Sequence, residues 1–167
     1  MKPNFRHCRT GEPIKVTVVG SPEQTSRIHE AVARRAFEIS ECPTDLTTPH
    51  EIQDWRKAES EVLPPFCCGQ MSLDGRLWVG TDCSMFEEGT LEIWVSPRRL
   101  TICGRARMDN RNPSRQHNGN TIYHPVELPV RIDPSQVTAH FNGPSLEIVL
   151  RKAQEKLDLD QAMVASP

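Results

Sequence analysis

The stretch from Tyr123 to Lys152 constrains the fold of this chain more than any other part of the sequence. Apolar residues fall at every second position in three runs, at 126–132, 137–141 and 146–150. A period of two places successive side chains on opposite faces of a strand. Each run therefore predicts a strand that buries one face.

Turn signals separate these predicted strands. Asn142-Gly143 supplies the positive φ that a tight hairpin turn requires, so the runs on either side of it are predicted to pair antiparallel. Pro129 and Pro134 have no backbone N–H to donate, which predicts a strand end or a bend at each of them. A two-stranded hairpin is the local prediction.

Two further hairpins are predicted upstream. Asp74-Gly75 is a hairpin signal between residues 66–71 and 76–83. Residues 91–95 and 100–104 each alternate apolar and polar positions, and the Pro97 turn lies between them. The β signals thus continue from about residue 66 to residue 152, which predicts a mainly β domain.

Two short helices are predicted before these strands. Apolar residues recur at helical spacing from Ile28 to Ile39, with Thr25 or Ser26 as the N-cap and Pro43 as the stop. A second helix is predicted from Thr47 or Thr48 to the Pro64-Pro65 linker. The simplest interpretation is a helical hairpin in which Phe37 packs against Trp55. The strand-like segment 14–19 is either an edge strand or an arm that orders on assembly.

Composition excludes several classes of protein. The 167 residues carry a net charge of −2 with scattered basic residues, so we expect no nucleic-acid partner. No apolar run is long enough to cross a membrane, and the first residues lack the apolar core of a secretion signal. We therefore expect a cytoplasmic protein whose six cysteines are mostly small buried apolar residues.

No catalytic or metal-binding motif is apparent in the sequence. It contains no Gly-rich phosphate loop, no His-Glu-x-x-His and no Gly-x-Ser-x-Gly. The cysteines form no Cys-x-x-Cys, and the histidines do not follow them at zinc-ligand spacing. We therefore expect neither an enzyme nor a cofactor, although a site assembled from distant residues stays open as an alternative.

The pattern resembles the α-crystallin domain of small heat-shock proteins. The motif is Leu128-Pro129, then Asp133-Pro134, then Ala139-x-x-Asn142-Gly143-x-x-Leu146-x-Ile148. Upstream, Leu100-x-Ile102-x-Gly104 followed by a basic residue resembles one of the family's central strands. The Asn-Gly pair stands one residue earlier than in the family, and Arg151 stands where the family commonly has Pro. The resemblance covers about residues 66–152.

The resemblance implies a fold and a function. The fold would be an immunoglobulin-like antiparallel β-sandwich, here preceded by a short helical hairpin. The function would be that of an ATP-independent chaperone that holds partly unfolded proteins and self-associates into a dimer or small oligomer. The client groove would lie between strands 91–95 and 146–150, lined by Leu91, Ile93, Val95, Leu146, Ile148 and Leu150. Sandwich core is the alternative role for most of these six residues.

The same resemblance implies further contacts. His124 would stand where the family often has an Arg at a dimer contact, and if a carboxylate lies opposite, we expect that contact to strengthen as the pH falls from 7.5 towards 6. Leu157 and Leu159 would be a weak form of the tail motif that docks into a neighbouring subunit. The polar segment from Arg105 to Thr121 corresponds to the strand that bacterial members exchange between subunits.

Four segments follow from these observations. They are a polar leader over 1–24, a two-helix segment over 25–63, the α-crystallin-like sandwich over 64–153 and a tail over 154–167. The two-helix segment resembles a short bacterial domain of unknown function, with its Asp54-Trp55-x-x-Ala58-Glu59 pattern. The departures from the family motif favour an alternative function, an adaptor or co-chaperone module that recognises one partner.

Overall fold

A computed structural model describes residues 14–41, 51–107 and 120–154, which form two β-sheets and two helices. In chain order the elements are β1 (Lys15–Val18), α1 (Ser21–Glu41), α2 (Glu51–Val62), β2 (Cys68–Leu73), β3 (Arg76–Asp82), β4 (Glu92–Val95), β5 (Arg99–Arg105), β6 (Thr121–Glu127), β7 (Ile132–Asn142) and β8 (Ser145–Lys152). None of the helices in these ranges is both long and apolar enough to cross a membrane.

The two sheets pack face to face as a sandwich. Sheet A has the order β1-β4-β5-β6, and sheet B has the order β2-β3-β8-β7. All neighbouring strands are antiparallel except β1 and β4, which run parallel. The predicted fold class, an antiparallel β-sandwich behind two helices, is confirmed.

The alternating apolar residues form the core between the sheets, as their period predicts. Full burial of one such aliphatic side chain stabilises the fold by about 1.5–3 kcal/mol. The side chains with no exposed surface include Leu77, Val79, Ile93, Val95, Leu100, Ile102, Leu146, Ile148 and Leu150.

The three predicted hairpins form at the predicted places. Asp74 and Gly75 have φ of 50° and 72° and connect β2 to β3. Gly143 has a φ of 64° and connects β7 to β8. In β7 the register shifts between Ile132 and Val137, around Pro134, because proline cannot donate to the ladder.

The helical prediction needs two corrections, and one part of it is not tested. Helix α1 begins at Ser21 rather than at Thr25 or Ser26, because Pro22 is favourable in the first turn of a helix, and the Gln24 N–H donates to the Gly20 carbonyl at 2.9 Å. Phe37 does not pack against Trp55, since it is 63% exposed and Trp55 instead lies 5.2 Å from the His29 ring. The proposed start of the second helix at Thr47 or Thr48 lies outside the described residues.

Part of the predicted leader over 1–24 is structured in the described residues. Lys15–Val18 pairs with β4 as an edge strand, and the next residues begin helix α1. This outcome settles the two alternatives for the segment in favour of the edge strand. The parallel pairing places Val16 beside Ile93 and Val18 beside Val95.

The helices are docked on the outer face of sheet A, away from the sandwich core. Ile28 of α1 packs with Val19, Trp94 and Cys103. Farther along the hairpin, Val32, Ala58 and Val62 pack together, and Tyr123 of β6 contacts them. Burial raises the pKa of the Cys103 thiol to about 12, so this cysteine is an apolar, protonated member of the helix–sheet interface, as the composition predicts.

Candidate functional site

The predicted groove between strands 91–95 and 146–150 is not an open surface. Five of its six residues, Ile93, Val95, Leu146, Ile148 and Leu150, have no exposed surface and belong to the sandwich core, and Leu91 is partly buried against them. Strand β8 also lies between β3 and β7, so it offers no free edge. The prediction assigned core residues to a groove because alternation identifies a buried face without showing which strands lie at an edge.

An accessible surface lies instead at the edge of the sandwich where β1 and β7 lie side by side. Each of these strands is the last of its sheet, and the two are in contact. We call this surface the β1–β7 seam and define it by Val16, Val18, Val137, Ala139 and Phe141.

Side-chain alternation directs these residues towards the seam. Val16 and Val18 neighbour the core residues Ile93 and Val95, so they lie on the inner face of sheet A. They nevertheless remain 36% and 64% exposed because no further strand of the described chain covers them. Strand β7 lines the opposite side of the seam, and its side chains there are apolar as well.

Strand β7 supplies that opposite wall. Val137, Ala139 and Phe141 pair with Leu150, Ile148 and Leu146 respectively, and all three are partly buried against the core. The backbone of β7 is bonded to β8 on one side only within the described chain. The seam therefore combines unpaired backbone groups with half-covered aliphatic and aromatic side chains, which is the chemistry that an extended apolar peptide requires.

Strand β1 pairs with β4 along all four of its residues, and further contacts support this pairing. The Val19 N–H donates to the Val95 carbonyl at 2.9 Å, and the Val19 side chain is 3% exposed. Farther from this anchor, Thr17 Oγ1 donates to Glu92 Oε1 at 3.1 Å, and Lys15 Nζ lies 3.5 Å from the same oxygen. The strand has only four residues, and its side chains are otherwise largely exposed.

His124 does not lie at an exposed dimer contact, so that prediction is wrong. Its side chain has no exposed surface and points into the sandwich, because it alternates with the outward Tyr123. The ring stacks on Phe66 at 4.2 Å with an interplanar angle of 3° and meets the edge of Phe86 at 5.0 Å. Neither ring nitrogen has a hydrogen-bond partner among the described residues, and burial lowers the pKa of His124 to about 4.

Two predicted features lie outside the described residues. They are the tail pair Leu157 and Leu159 and most of the predicted exchange segment, at 108–119. Within the described ranges no group of three His, Cys, Asp or Glu side chains is placed to hold a metal ion.

Sequence reasoning missed all five residues of the seam. The alternation of residues 14–18 and 137–141 was visible in the sequence and predicted strands. The parallel pairing of β1 with β4 joins residues 77 positions apart, such as Lys15 and Glu92, and no local pattern specifies such a pairing.

Comparison with known proteins gives matches among solved structures only. No protein-family model matches the chain, and no curated protein sequence matches it. The solved structures that resemble it are small heat-shock proteins, the family that the sequence motif resembles.

Three of these solved structures illustrate the degree of similarity. Heat shock protein 16.0 from Schizosaccharomyces pombe is 16% identical, with 55% of this chain and 76% of that chain covered and a TM-score of 0.44. HSP18.5 from E. histolytica is 13% identical, with 55% and 91% covered and a TM-score of 0.45. A small heat-shock protein from Xylella fastidiosa is 14% identical, with 54% and 87% covered and a TM-score of 0.43.

Proposed function

We propose that this protein is an ATP-independent holding chaperone that binds partly unfolded proteins at the β1–β7 seam. The observation that carries the proposal is the exposure of Val16 and Val18 beside the free edge of β7. An unfolded client presents extended segments in which apolar side chains alternate with polar ones. Such a segment can pair with a free strand edge through its backbone and place its apolar side chains in the seam.

The energetic scale of this binding suits a holding function. Burial of apolar surface contributes about 25 cal/mol per Å², so a seam of a few side chains holds one client segment weakly. If the protein self-associates, several copies of the seam would bind one client together, which raises the avidity for that client without a new kind of contact. We therefore include a dimer or small oligomer and a cytoplasmic location in the proposal, as the sequence motif and composition imply.

Aggregation of heated test proteins measures the proposed activity. We expect the full chain to suppress the aggregation of several unrelated proteins at near-stoichiometric ratios, with no nucleotide added. Val16→Ser/Val18→Ser should weaken this protection several-fold, because it removes apolar surface from the seam while the core stays intact. Both valines are exposed, so the double variant should keep its fold.

A matched control comes from the opposite edge of sheet B. Met71 and Leu73 of β2 are 57% and 54% exposed, so Met71→Ser/Leu73→Ser removes similar apolar surface away from the seam. We expect this variant to protect as well as the wild type. Equal loss of protection in both double variants would show that any exposed apolar surface contributes to protection, whether or not it belongs to the seam. The absence of protection by the wild type would reject the chaperone proposal.

The helices support a second candidate function, an adaptor that recognises one partner. Phe37 of α1 and Ile52 of α2 are 63% and 71% exposed, and they flank the connection between the two helices. Large apolar residues on a helix surface are frequent anchors of protein–protein contacts. An adaptor would protect none of the heated proteins and would lose its single partner in Phe37→Ser/Ile52→Ser, whereas a general chaperone would keep its protection in that variant.

A further inference from the structure

Positive charge is unevenly distributed over the described part of the chain. Basic side chains elsewhere commonly form ion pairs, as Arg35 does with Glu61 at 2.6 Å. At one end of the sandwich Arg99 pairs with Glu127, but five other basic side chains form no ion pair with any described carboxylate. These side chains are Arg76, Arg98, Arg131, Arg151 and Lys152.

Three of these cations surround one cavity. Arg98 from the β4–β5 turn, Arg131 from the β6–β7 connection and Lys152 at the end of β8 line a cleft of about 1020 Å³, which we call the basic cleft. Val130 and Pro129 form part of its wall, and none of the described residues that line it carries a carboxylate. The volume is at the upper end of the range that small-molecule sites occupy, about 300–1,000 Å³.

The backbone that carries these side chains is held by hydrogen bonds between the three segments. The Leu128 N–H donates to the Arg98 carbonyl at 2.9 Å, and the Ile132 N–H donates to the Pro97 carbonyl at 2.9 Å. The Ala153 N–H donates to the Arg131 carbonyl, also at 2.9 Å. Since the chain positions are set before any ligand arrives, little backbone order has to be gained on binding.

Two further arginines at this end add to the positive potential, and one described acid offsets part of it. Arg76 and Arg151 lie directly opposite each other in the β3–β8 ladder, an arrangement that is unfavourable without a counter-charge. Asp133 Oδ1 accepts hydrogen bonds from the Ser135 N–H at 3.0 Å and the Ser135 hydroxyl at 2.7 Å. These bonds, and less strongly the charge of Arg151, lower the pKa of Asp133, whose carboxylate offsets part of the charge of Arg151.

We propose that the basic cleft binds a ligand that carries a chain of phosphate groups. Two guanidinium groups offer planar forked donors that match phosphate oxygens, and the Lys152 ammonium adds a third positive charge. Several phosphates on one ligand neutralise several cations at once, which a single carboxylate cannot do. An inorganic oligophosphate and a nucleoside triphosphate share this chemistry, and they differ in whether an organic group contacts Val130 and Pro129.

Isothermal titration calorimetry of the full chain with inorganic tripolyphosphate tests the proposal. We expect saturable binding that weakens as the NaCl concentration rises, because the attraction is electrostatic. Arg98→Gln/Arg131→Gln should weaken binding about tenfold or more, since it removes both forked donors. Titration with ATP identifies which of the two kinds of ligand the cleft binds. Tighter binding of ATP than of tripolyphosphate indicates a nucleotide, and equal or weaker binding of ATP indicates a free oligophosphate.

The matched control is Arg56→Gln/Lys57→Gln on helix α2. These two residues are also exposed and outside any ion pair with a described carboxylate, so the variant loses the same charge at another place. Its affinity for tripolyphosphate should stay within about twofold of the wild type. Equal weakening in both double variants, or no saturable binding to the wild type, would overturn the proposal. Aggregation assays without phosphate test the chaperone proposal separately, since neither double variant alters the seam.

Discussion

Gln24 of helix α1 and Thr101 of strand β5 form a buried hydrogen bond, with Thr101 Oγ1 donating to Gln24 Oε1 at 2.8 Å. The other end of the same amide donates to the Val19 carbonyl at 2.8 Å. Both side chains have no exposed surface. One glutamine thus joins the first helix, the outer face of sheet A and the anchored end of β1.

Replacement of Gln24 by alanine should therefore destabilise the fold. It leaves the Thr101 hydroxyl and the Val19 carbonyl buried without these partners, which costs about 1–3 kcal/mol. Urea unfolding of the two proteins measures the difference. Gln53→Ala, at an exposed glutamine of α2, is the control and should change the free energy of unfolding by less than about 0.5 kcal/mol. A Gln24 variant as stable as this control would contradict the prediction.

The helices and the sandwich should unfold together rather than as separate units. The sequence suggested independence, because Pro64-Pro65 stands between them, but Ile28 packs directly on Trp94 of sheet A. Ile28→Ala should cost about 2–5 kcal/mol and should lower one common transition. Far-ultraviolet circular dichroism reports the helices, and the near-ultraviolet signal of Trp78 and Trp94, measured in a Trp55→Phe background, reports the sandwich. Two separated transitions in the wild type would show that the units are independent.

Acid should destabilise the protein through His124. Burial lowers the pKa of His124 to about 4 in the folded state, below the ordinary value of 6.5 that the unfolded chain regains. The unfolded state therefore binds a proton that the folded state excludes, so stability is complete above pH 6.5 and falls between pH 6.5 and 4. The loss reaches about 3 kcal/mol at the lower end of this window.

The variant His124→Leu isolates this contribution. It cannot titrate, so the stability difference between wild type and variant should shift by about 3 kcal/mol against the wild type between pH 7.5 and 4. His140→Gln is the control, because His140 is exposed on β7 and should leave the His124 contribution unchanged. Parallel stability curves for the wild type and His124→Leu would reject the mechanism. This sign is opposite to that of the dimer-contact prediction, which required an exposed His124.

Gly104 should tolerate no side chain. A Cβ there would lie 2.9 Å from Phe86 Cδ1 and 3.2 Å from the Thr90 carbonyl oxygen, and the backbone oxygen cannot move away as a flexible side chain would. Gly104→Ala should cost about 1–3 kcal/mol through overpacking. Gly80→Ala is the matched control, since nothing lies within 4 Å of a Cβ at that strand position. Thermal unfolding of the two variants compares them, and equal midpoints would contradict the prediction.

Residue pattern alone was sufficient for the strands and hairpins because its information is local, whereas the sandwich was implied by the family resemblance. Alternation over 137–141 and 146–150 specifies which face of each strand is buried, and Asn142-Gly143 specifies the turn between them. The first-turn Pro22 of helix α1 is an equally local signal.

Tertiary structure decided the rest, because pairing between distant strands has no local signature. Only the parallel pairing of Lys15–Val18 with β4 shows that Val16 and Val18 line an edge, while Ile148 and Leu150 lie in the core. Likewise, the alternation of side chains assigns His124 to one of the two faces of its strand. Only the packing of Phe66 and Phe86 against its ring shows that this face is the interior. Alternation assigns residues to opposite faces, whereas the association of the two sheets and the helices determines which face meets water.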